Sequence, residues 1–359
     1  MDIQTIANNI KGYRFDKNLT QDELAKLANV CKQTIKQIEC GKQSTTYETL
    51  RKIAMALGIK LADLLQTSQT QRHILFRSMK KLKNRSVILS VSGRWLDNYE
   101  FLEEKLGDNQ DFILKNFLFN GSPDILASQV RQYLQISPES PIDDIGLLLD
   151  NIGVKLYLYK KTQSNGFFGL SMLGKNHNPA IVVNTSNLLS SERQIFSAVH
   201  ELGHILMHLD AFGQNENNPE DDIHEKEADS FAGYFLMPQE GFCKIWNATA
   251  GMHWIDRVLF VKNYYRVSYQ VVLYRLNELH NTSDYNKIFS FQYNKKFHEK
   301  LPRMKEPFPS SWKFIDNRFS RLVCQALRKE IISISKAAEM LDVSISEMLD
   351  IINSNSCEK

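Results

Sequence analysis

The sequence predicts an α+β protein that is mostly α. Three observations lead there. Apolar residues recur at helical spacing through most of the 359 residues. One short region, 154–184, switches to strand-like alternation. Directly after it, two histidines four residues apart sit in an apolar helical run. The expected layout is a five-helix domain at 1–66, a polar and basic linker at 67–90, a domain with a small antiparallel sheet at 91–280, and a connector with a helical tail at 281–359.

Bulk properties bound the function. The length suggests two or three domains. Hydrophobic content of 43% and charged content of 24% fit a soluble globular protein. No apolar run approaches 18 residues, so no membrane span or membrane partner is expected. Met1-Asp2-Ile3-Gln4 does not open a secretory signal. The five cysteines (31, 40, 243, 324, 357) are odd in number, scattered and without a C-x-x-C pair. They read as reduced thiols of a cytoplasmic protein and exclude a zinc ribbon. The net charge of +3 predicts no polyanion partner by itself. Its location is more telling, because residues 1–66 carry ten Lys/Arg against seven Asp/Glu.

In the first domain, Ile3, Ile6, Ile10 and Tyr13 mark one helix. Thr20 caps a second, Gln21 to Ala28, with Glu23 placed for a capping box. Asn29-Val30-Cys31 makes a tight turn. A third helix, Lys32 to Glu39, stops at Cys40-Gly41, and a fourth, Tyr47 to Leu57, stops at Gly58. Leu61 to Leu65 completes the set. Two short helices on a tight turn form a helix-turn-helix, whose second helix enters the major groove. Leu24, Leu27, Val30, Ile35 and Ile38 hold the pair together, and Lys32, Gln33, Lys36 and Gln37 remain outside. Glutamine reads adenine, and lysine reads guanine or neutralises phosphate. A helical protein-interaction domain with solvated lysines is the alternative.

The stretch LTQDELAKLANVCKQTIKQIECGK (19–42) resembles the Cro-type (XRE) repressor domain, with Cys31 where that family prefers serine. The resemblance implies double-stranded DNA as partner and a homodimer on a two-fold site. It also implies a phosphate contact from Gln21. The DNA-facing set is then Gln21, Lys32, Gln33, Lys36, Gln37 and Lys42. The linker's cluster, Arg72, Arg77, Lys80, Lys81, Lys83 and Arg85, reads as a solvated face, with contact to DNA phosphate as the alternative.

From Val87 to Gln135 the pattern is helical, and Ile142 to Ile152 adds a helix closed at Gly153. Strands follow at 154–159, 167–172 and 180–184, with a turn at Ser164-Asn165-Gly166. The Gly166–Leu170 or Ile181–Asn184 strand is expected to pair with a substrate backbone by strand addition. A sheet that merely packs on the next helix is equally compatible.

That helix carries His200-Glu201-Leu202-Gly203-His204. Chance supplies roughly 0.01 such motifs in a chain with 9 His. Residues four apart share a helix face, so both imidazoles reach one point, as two ligands of a tetrahedral metal do. Glu201 is placed as the base that takes a proton from water, whose pKa the metal lowers to roughly 7. In the next helix, Glu227 heads an apolar face continued by Phe231, Tyr234 and Phe235, and a carboxylate there needs a partner. His208, His224 and Tyr234 are candidate donors to a tetrahedral oxyanion.

HELGHILMH (200–208) and EADSFAGYFLMP (227–238) resemble the ImmA/IrrE metallopeptidases, which show H-E-L-G-H and then E-A-x-x-F-A-x-x-L-L-M-P. The resemblance implies a gluzincin-like endopeptidase of zincin-like fold, with zinc or manganese as metal, His200, His204 and Glu227 as ligands and Glu201 as base. By spacing alone, Glu225 and Asp229 stay open as alternative ligands. The segment Val267 to Leu279 resembles the end of that domain. Residues 280–318 read as an extended connector, and 321–352 as helices resembling a second, non-basic helix-turn-helix fragment. Together the resemblances imply a DNA-binding transcription regulator that cleaves a helix-turn-helix repressor, or itself, to control stress-response or mobile-element genes. A regulator or antitoxin whose metal fold only senses or binds partners is the alternative.

Overall fold

A computed structural model describes residues 3–17, 19–42, 45–59, 61–65, 85–117, 121–160, 167–187, 189–209, 221–301, 306–314 and 318–353. The linker cluster from Arg72 to Lys83, the Ser164–Gly166 turn and the acidic segment 210–220 lie outside these residues. The chain divides into two compact units. One comprises residues 1–72, 79–108 and 321–359, and the other 73–78 and 109–320.

The first unit opens with α1 (Ile3–Asp16), α2 (Gln21–Leu27), α3 (Lys32–Glu39), α4 (Tyr47–Leu57) and α5 (Leu61–Leu65). Their core gathers Ile10, Leu24, Ile35, Ile38, Ile53 and Leu57, all buried. Local signals account for the helix ends. Thr20 and Glu23 form the expected capping box. Gly58 ends α4 in the left-handed region, at φ 65°. Cys31 caps α3 with its sulfur, which accepts from the Thr34 amide at 3.4 Å, as a serine oxygen would. Beneath the turn, the buried Arg14 guanidinium donates to Glu39 Oε1 at 2.6 Å and Oε2 at 3.0 Å, and to the Leu19 carbonyl at 2.7 Å.

The division differs from the sequence reading in two places. Helix α6 (Arg85–Leu106) belongs with α1, where the Arg94 guanidinium lies 3.9 Å from the Tyr13 ring centroid. Helices α15 (Arg318–Arg328), α16 (Ile334–Leu341) and α17 (Ile345–Asn353) join the same unit from Arg321 onward. The expectation of reduced cysteines is corrected at Cys324, which is disulfide-bonded, whereas Cys31, Cys40 and Cys243 are free. Spacing along the chain does not register cysteines that meet only on folding.

The second unit holds α7 (Pro123–Tyr133), α8 (Ile145–Asn151), β1 (Lys155–Tyr159), β2 (Gly169–Leu173), β3 (Pro179–Asn184), α9 (Ser191–Met207), α10 (Asp221–Leu236), α11 (Gln239–Ala248), α12 (Trp254–Tyr265), α13 (Tyr269–His280) and α14 (Tyr285–Phe297). The sheet order is β1-β3-β2. β2 runs antiparallel to β3, and β1 joins β3 in parallel, so the expected antiparallel sheet is mixed. β3 is central and buried throughout, as its unbroken apolar run requires. Inside the expected connector, α14 is a regular helix. It buries Phe289, stacked on Tyr269 with centroids 4.7 Å apart, and Tyr293.

Three contacts place α9 and α10. At the start of α9, Glu192 Oε1 meets the fully buried Lys262 ammonium at 3.0 Å and the Ser310 amide at 2.8 Å. Lys262 is further held by Glu306 at 3.3 Å and the Phe308 carbonyl at 2.9 Å. At the end of α10, carbonyls that a helix leaves unpaired receive Arg131, which donates to Phe235 O at 2.7 Å, and Arg275, which donates to Met237 O at 2.8 Å. Between them the helices approach closely at Gly203, where an added Cβ would lie 3.0 Å from the Phe231 ring.

Candidate metal centre and nucleic-acid interface

Because α9 and α10 cross at Gly203, side chains of one helix reach ligand distance of the other. His200 and His204 present their Nε2 atoms to each other at 3.1 Å, with ring planes 80° apart. The carboxylate that meets them is Glu225, with Oε2 at 3.4 Å from His200 Nε2 and Oε1 at 3.4 Å from His204 Nε2. Tetrahedral zinc with bonds of about 2.0–2.1 Å places its ligand atoms about 3.3–3.4 Å apart. The two histidine nitrogens and one carboxylate oxygen lie within 4.8 Å of one another, so two imidazoles and a carboxylate meet at one point, a donor set that fits such a metal.

Glu227, implied as the third ligand, does not reach this point. Its Oε2 lies 2.9 Å from His208 Nε2. Helix phase is the reason: two residues along α10 turn the side chain by about 200°. Glu225 and Asp229, four apart, share a face, and Asp229 Oδ1 lies 2.8 Å from His200 Nδ1. That contact leaves His200 Nε2 for the site, the arrangement of a carboxylate that orients a metal-binding histidine.

Three carboxylates surround the two imidazoles, and the electrostatics follow. Burial pulls the His200 imidazolium down, but Asp229, Glu225 and Glu201 override it and push it up to about 10. Burial also opposes the charge on Glu225, yet its contacts to His200 and His204 hold the carboxyl well below the ordinary range. Glu201 goes the other way. Burial raises it, against the pull of His204, His200 and a hydrogen bond from Ser171. The Ser171 hydroxyl donates to Glu201 Oε2 at 2.5 Å from within β2. Gly169 in the same strand leaves room for this carboxylate, since an added Cβ would lie 3.0 Å from Glu201 Cγ. A carboxyl raised toward neutrality and held in one orientation is suited to accept and return a proton.

The other candidates separate clearly. His208 is buried and engaged by His204 and Glu227. His224 stacks on His208 at 4.1 Å. Tyr234 points elsewhere: its hydroxyl donates to Glu278 at 3.4 Å, and its ring lies 3.6 Å from the Arg275 guanidinium. Of the two expected substrate strands, Ile181–Asn184 forms part of β3, which is paired on both sides and accepts no further strand. β2 is a sheet edge, and it runs beside α9. Sequence reasoning missed Ser171 as a partner of Glu201; a lone serine in an apolar strand was its only signal.

In the first unit, Lys32, Gln33, Lys36 and Lys42 are exposed and Gln37 is half-buried. Lys32 stands 3.6 Å from Asp22. Gln21 turns inward, donating from Nε2 to Glu39 Oε2 at 2.7 Å. Its amide therefore braces the start of α2 against the Arg14–Glu39 pair.

Two family models match separate stretches of the chain. The helix-turn-helix family model matches residues 10–64. The model of the IrrE N-terminal-like domain, a peptidase family, matches residues 159–277. An uncharacterized HTH-type transcriptional regulator of Methanocaldococcus jannaschii is 44% identical over 57 residues, which span 16% of this chain and 86% of the relative. Among solved structures, Bacillus thuringiensis PlcR bound to a peptide and DNA aligns over 99% of this chain and 98% of its own, at 14% identity and a TM-score of 0.18. A superposition that loose bears on neither fold nor function. Among the described residues, no helix is long and apolar enough to cross a membrane.

Proposed function

For a chain that belongs to the helix-turn-helix transcription regulators and also carries an IrrE N-terminal-like domain, we propose a DNA-binding regulator with metal-dependent endopeptidase activity. Its substrate is a protein, by our reading a helix-turn-helix repressor. The observation that carries the reading is the convergence of His200 Nε2, His204 Nε2 and the Glu225 carboxylate, whose ligand atoms lie within 4.8 Å of one another, with Glu201 beside His200 in α9.

In this mechanism His200, His204 and Glu225 hold a divalent ion, zinc or manganese, and Asp229 orients His200. The ion would supply Lewis acidity, polarising a peptide carbonyl and acidifying water. Glu201 takes the proton of the attacking water on the carboxylate oxygen that Ser171 leaves free, and delivers it to the departing amine. Ser171 keeps that carboxylate from rotating out of line. The edge of β2 beside α9 is the place for an extended substrate segment. Lys32, Gln33, Lys36, Gln37 and Lys42 face the DNA, and two copies bind a two-fold site.

The test measures zinc content and peptide-bond cleavage together. Native chain and Glu225→Gln are compared after dialysis against zinc, and each is incubated with candidate repressors. The reading expects about one zinc per native chain, loss of zinc in the variant, and cleavage only by the native chain. Full zinc in Glu225→Gln would contradict the ligand assignment. Stoichiometric zinc with no cleavage of any regulator would contradict the peptidase assignment.

A further inference from the structure

Beside the candidate centre lies a second cluster, His208, His224 and Glu227, whose ligating atoms also fall within 4.8 Å of one another. Its two rings are arranged differently from those of the first. An imidazole lone pair lies in the ring plane, and the His208 and His224 rings are stacked only 28° apart. Their lone pairs therefore lie in nearly parallel, separate planes, whereas His200 and His204, with planes 80° apart, bring their Nε2 atoms within 3.1 Å of each other.

We propose that His208 and Glu227 form a relay that holds His204 in its metal-binding tautomer. The inference rests on His204 being a ligand through Nε2. His204 Nδ1 and His208 Nδ1 are 3.0 Å apart, so one hydrogen lies between them. If His204 Nε2 is the ligand atom, its ring hydrogen is on Nδ1 and is donated to His208 Nδ1. His208 then carries its own hydrogen on Nε2 and donates it to Glu227 Oε2 at 2.9 Å. Every contact in this order has one donor and one acceptor, and the chain ends on a carboxylate.

The reverse order fails at both ends. His204 would carry its hydrogen on Nε2, the atom that must bind the ion. His208 would turn a bare Nε2 lone pair toward a carboxylate oxygen. Glu227 therefore selects the first order, two residues removed from the ion. The stacked His224 ring keeps His208 from swinging out of the chain. The two ligand histidines are thus braced independently, His200 by Asp229 and His204 by the His208–Glu227 pair. The resemblance between this chain and the metallopeptidases placed Glu227 at the ion itself; the relay gives that side chain a positioning role instead.

The experiment uses the full chain. Zinc affinity is measured by competition with a chromophoric chelator for the native protein, Glu227→Gln, His208→Phe and Glu225→Gln, with folding checked by circular dichroism. Histidine ring-nitrogen shifts are recorded for the native metal-free chain. The relay predicts that Glu227→Gln and His208→Phe each weaken zinc binding by about 10–100-fold, as loss of an outer-shell partner does, and that Glu225→Gln weakens it further. It also predicts that native His204 carries hydrogen on Nδ1 and His208 on Nε2. Native affinity in both relay variants, or hydrogen on His208 Nδ1, would overturn the relay and leave the centre standing. Native affinity in Glu225→Gln with complete loss in Glu227→Gln would make Glu227 the ligand and overturn both.

Discussion

Replacing Gly169 by alanine should damage catalysis while sparing metal binding. The added methyl would lie 3.0 Å from Glu201 Cγ, 3.1 Å from Glu201 Oε1 and 3.2 Å from the Val182 carbonyl oxygen. Non-bonded carbon contacts settle at about 3.5–4.0 Å, so the methyl intrudes by about half an ångström on two sides. Val182 lies in β3, which is paired on both edges, and does not retreat cheaply. Glu201 must yield instead. A misplacement of 1 Å near the chemistry costs about 100-fold, so half of that predicts about a 10-fold fall in kcat. Overpacking costs about 1–3 kcal/mol of stability, which thermal melting of the full chain reads. The assay compares kcat of native and Gly169→Ala chains at equal zinc content, on a protein that the native chain cleaves. A kcat within about twofold of native alongside a lowered Tm would refute the reasoning, because the base would have tolerated the displacement.

Glu39→Gln removes one charge of a pair whose Arg14 and Glu39 side chains are only 7% and 2% exposed, so it should cost about 3–5 kcal/mol; urea unfolding that matches native would contradict this. Lys36→Ala, at an exposed position of α3, should weaken DNA binding across sequences and lower the salt slope by about 1; an unchanged slope in filter binding would remove Lys36 from the interface. The Cys31 thiol is held down by the Thr34 hydroxyl and amide. A lowered pKa means more thiolate at neutral pH, so the midpoint of its alkylation profile should fall below that of a free cysteine peptide; peptide mapping after iodoacetamide at stepped pH checks this, and a midpoint at or above that of the free peptide would contradict it.

What was legible in the sequence was local. The Thr20–Glu23 capping box and the stop at Gly58 depend on a few neighbouring residues, and they fold as written. The H-E-x-x-H spacing brings its two imidazoles together through the helix repeat alone. Which carboxylate of α10, Glu225 or Glu227, meets the two imidazoles was not local. It depends on the rotation of α10 against α9, which is set by the close approach at Gly203 and by the arginines on the α10 carbonyls. The same limit explains the strand order, the placement of α6 beside α1, and Ser171. Helix α14 was missed for a different reason, since its buried Phe289 and Tyr293 sit among polar residues without a continuous apolar face.

The central claim is that Glu201 performs peptide-bond cleavage in a DNA-binding regulator. The most direct measurement compares new protein N-termini in cells making the native chain or Glu201→Gln, with zinc and DNA binding verified for both. The account predicts termini present only with the native chain and located in a helix-turn-helix repressor or in residues 66–90 of this protein. Identical termini in the two strains, with metal and DNA bound in both, would contradict it and leave the metal centre to a sensing role.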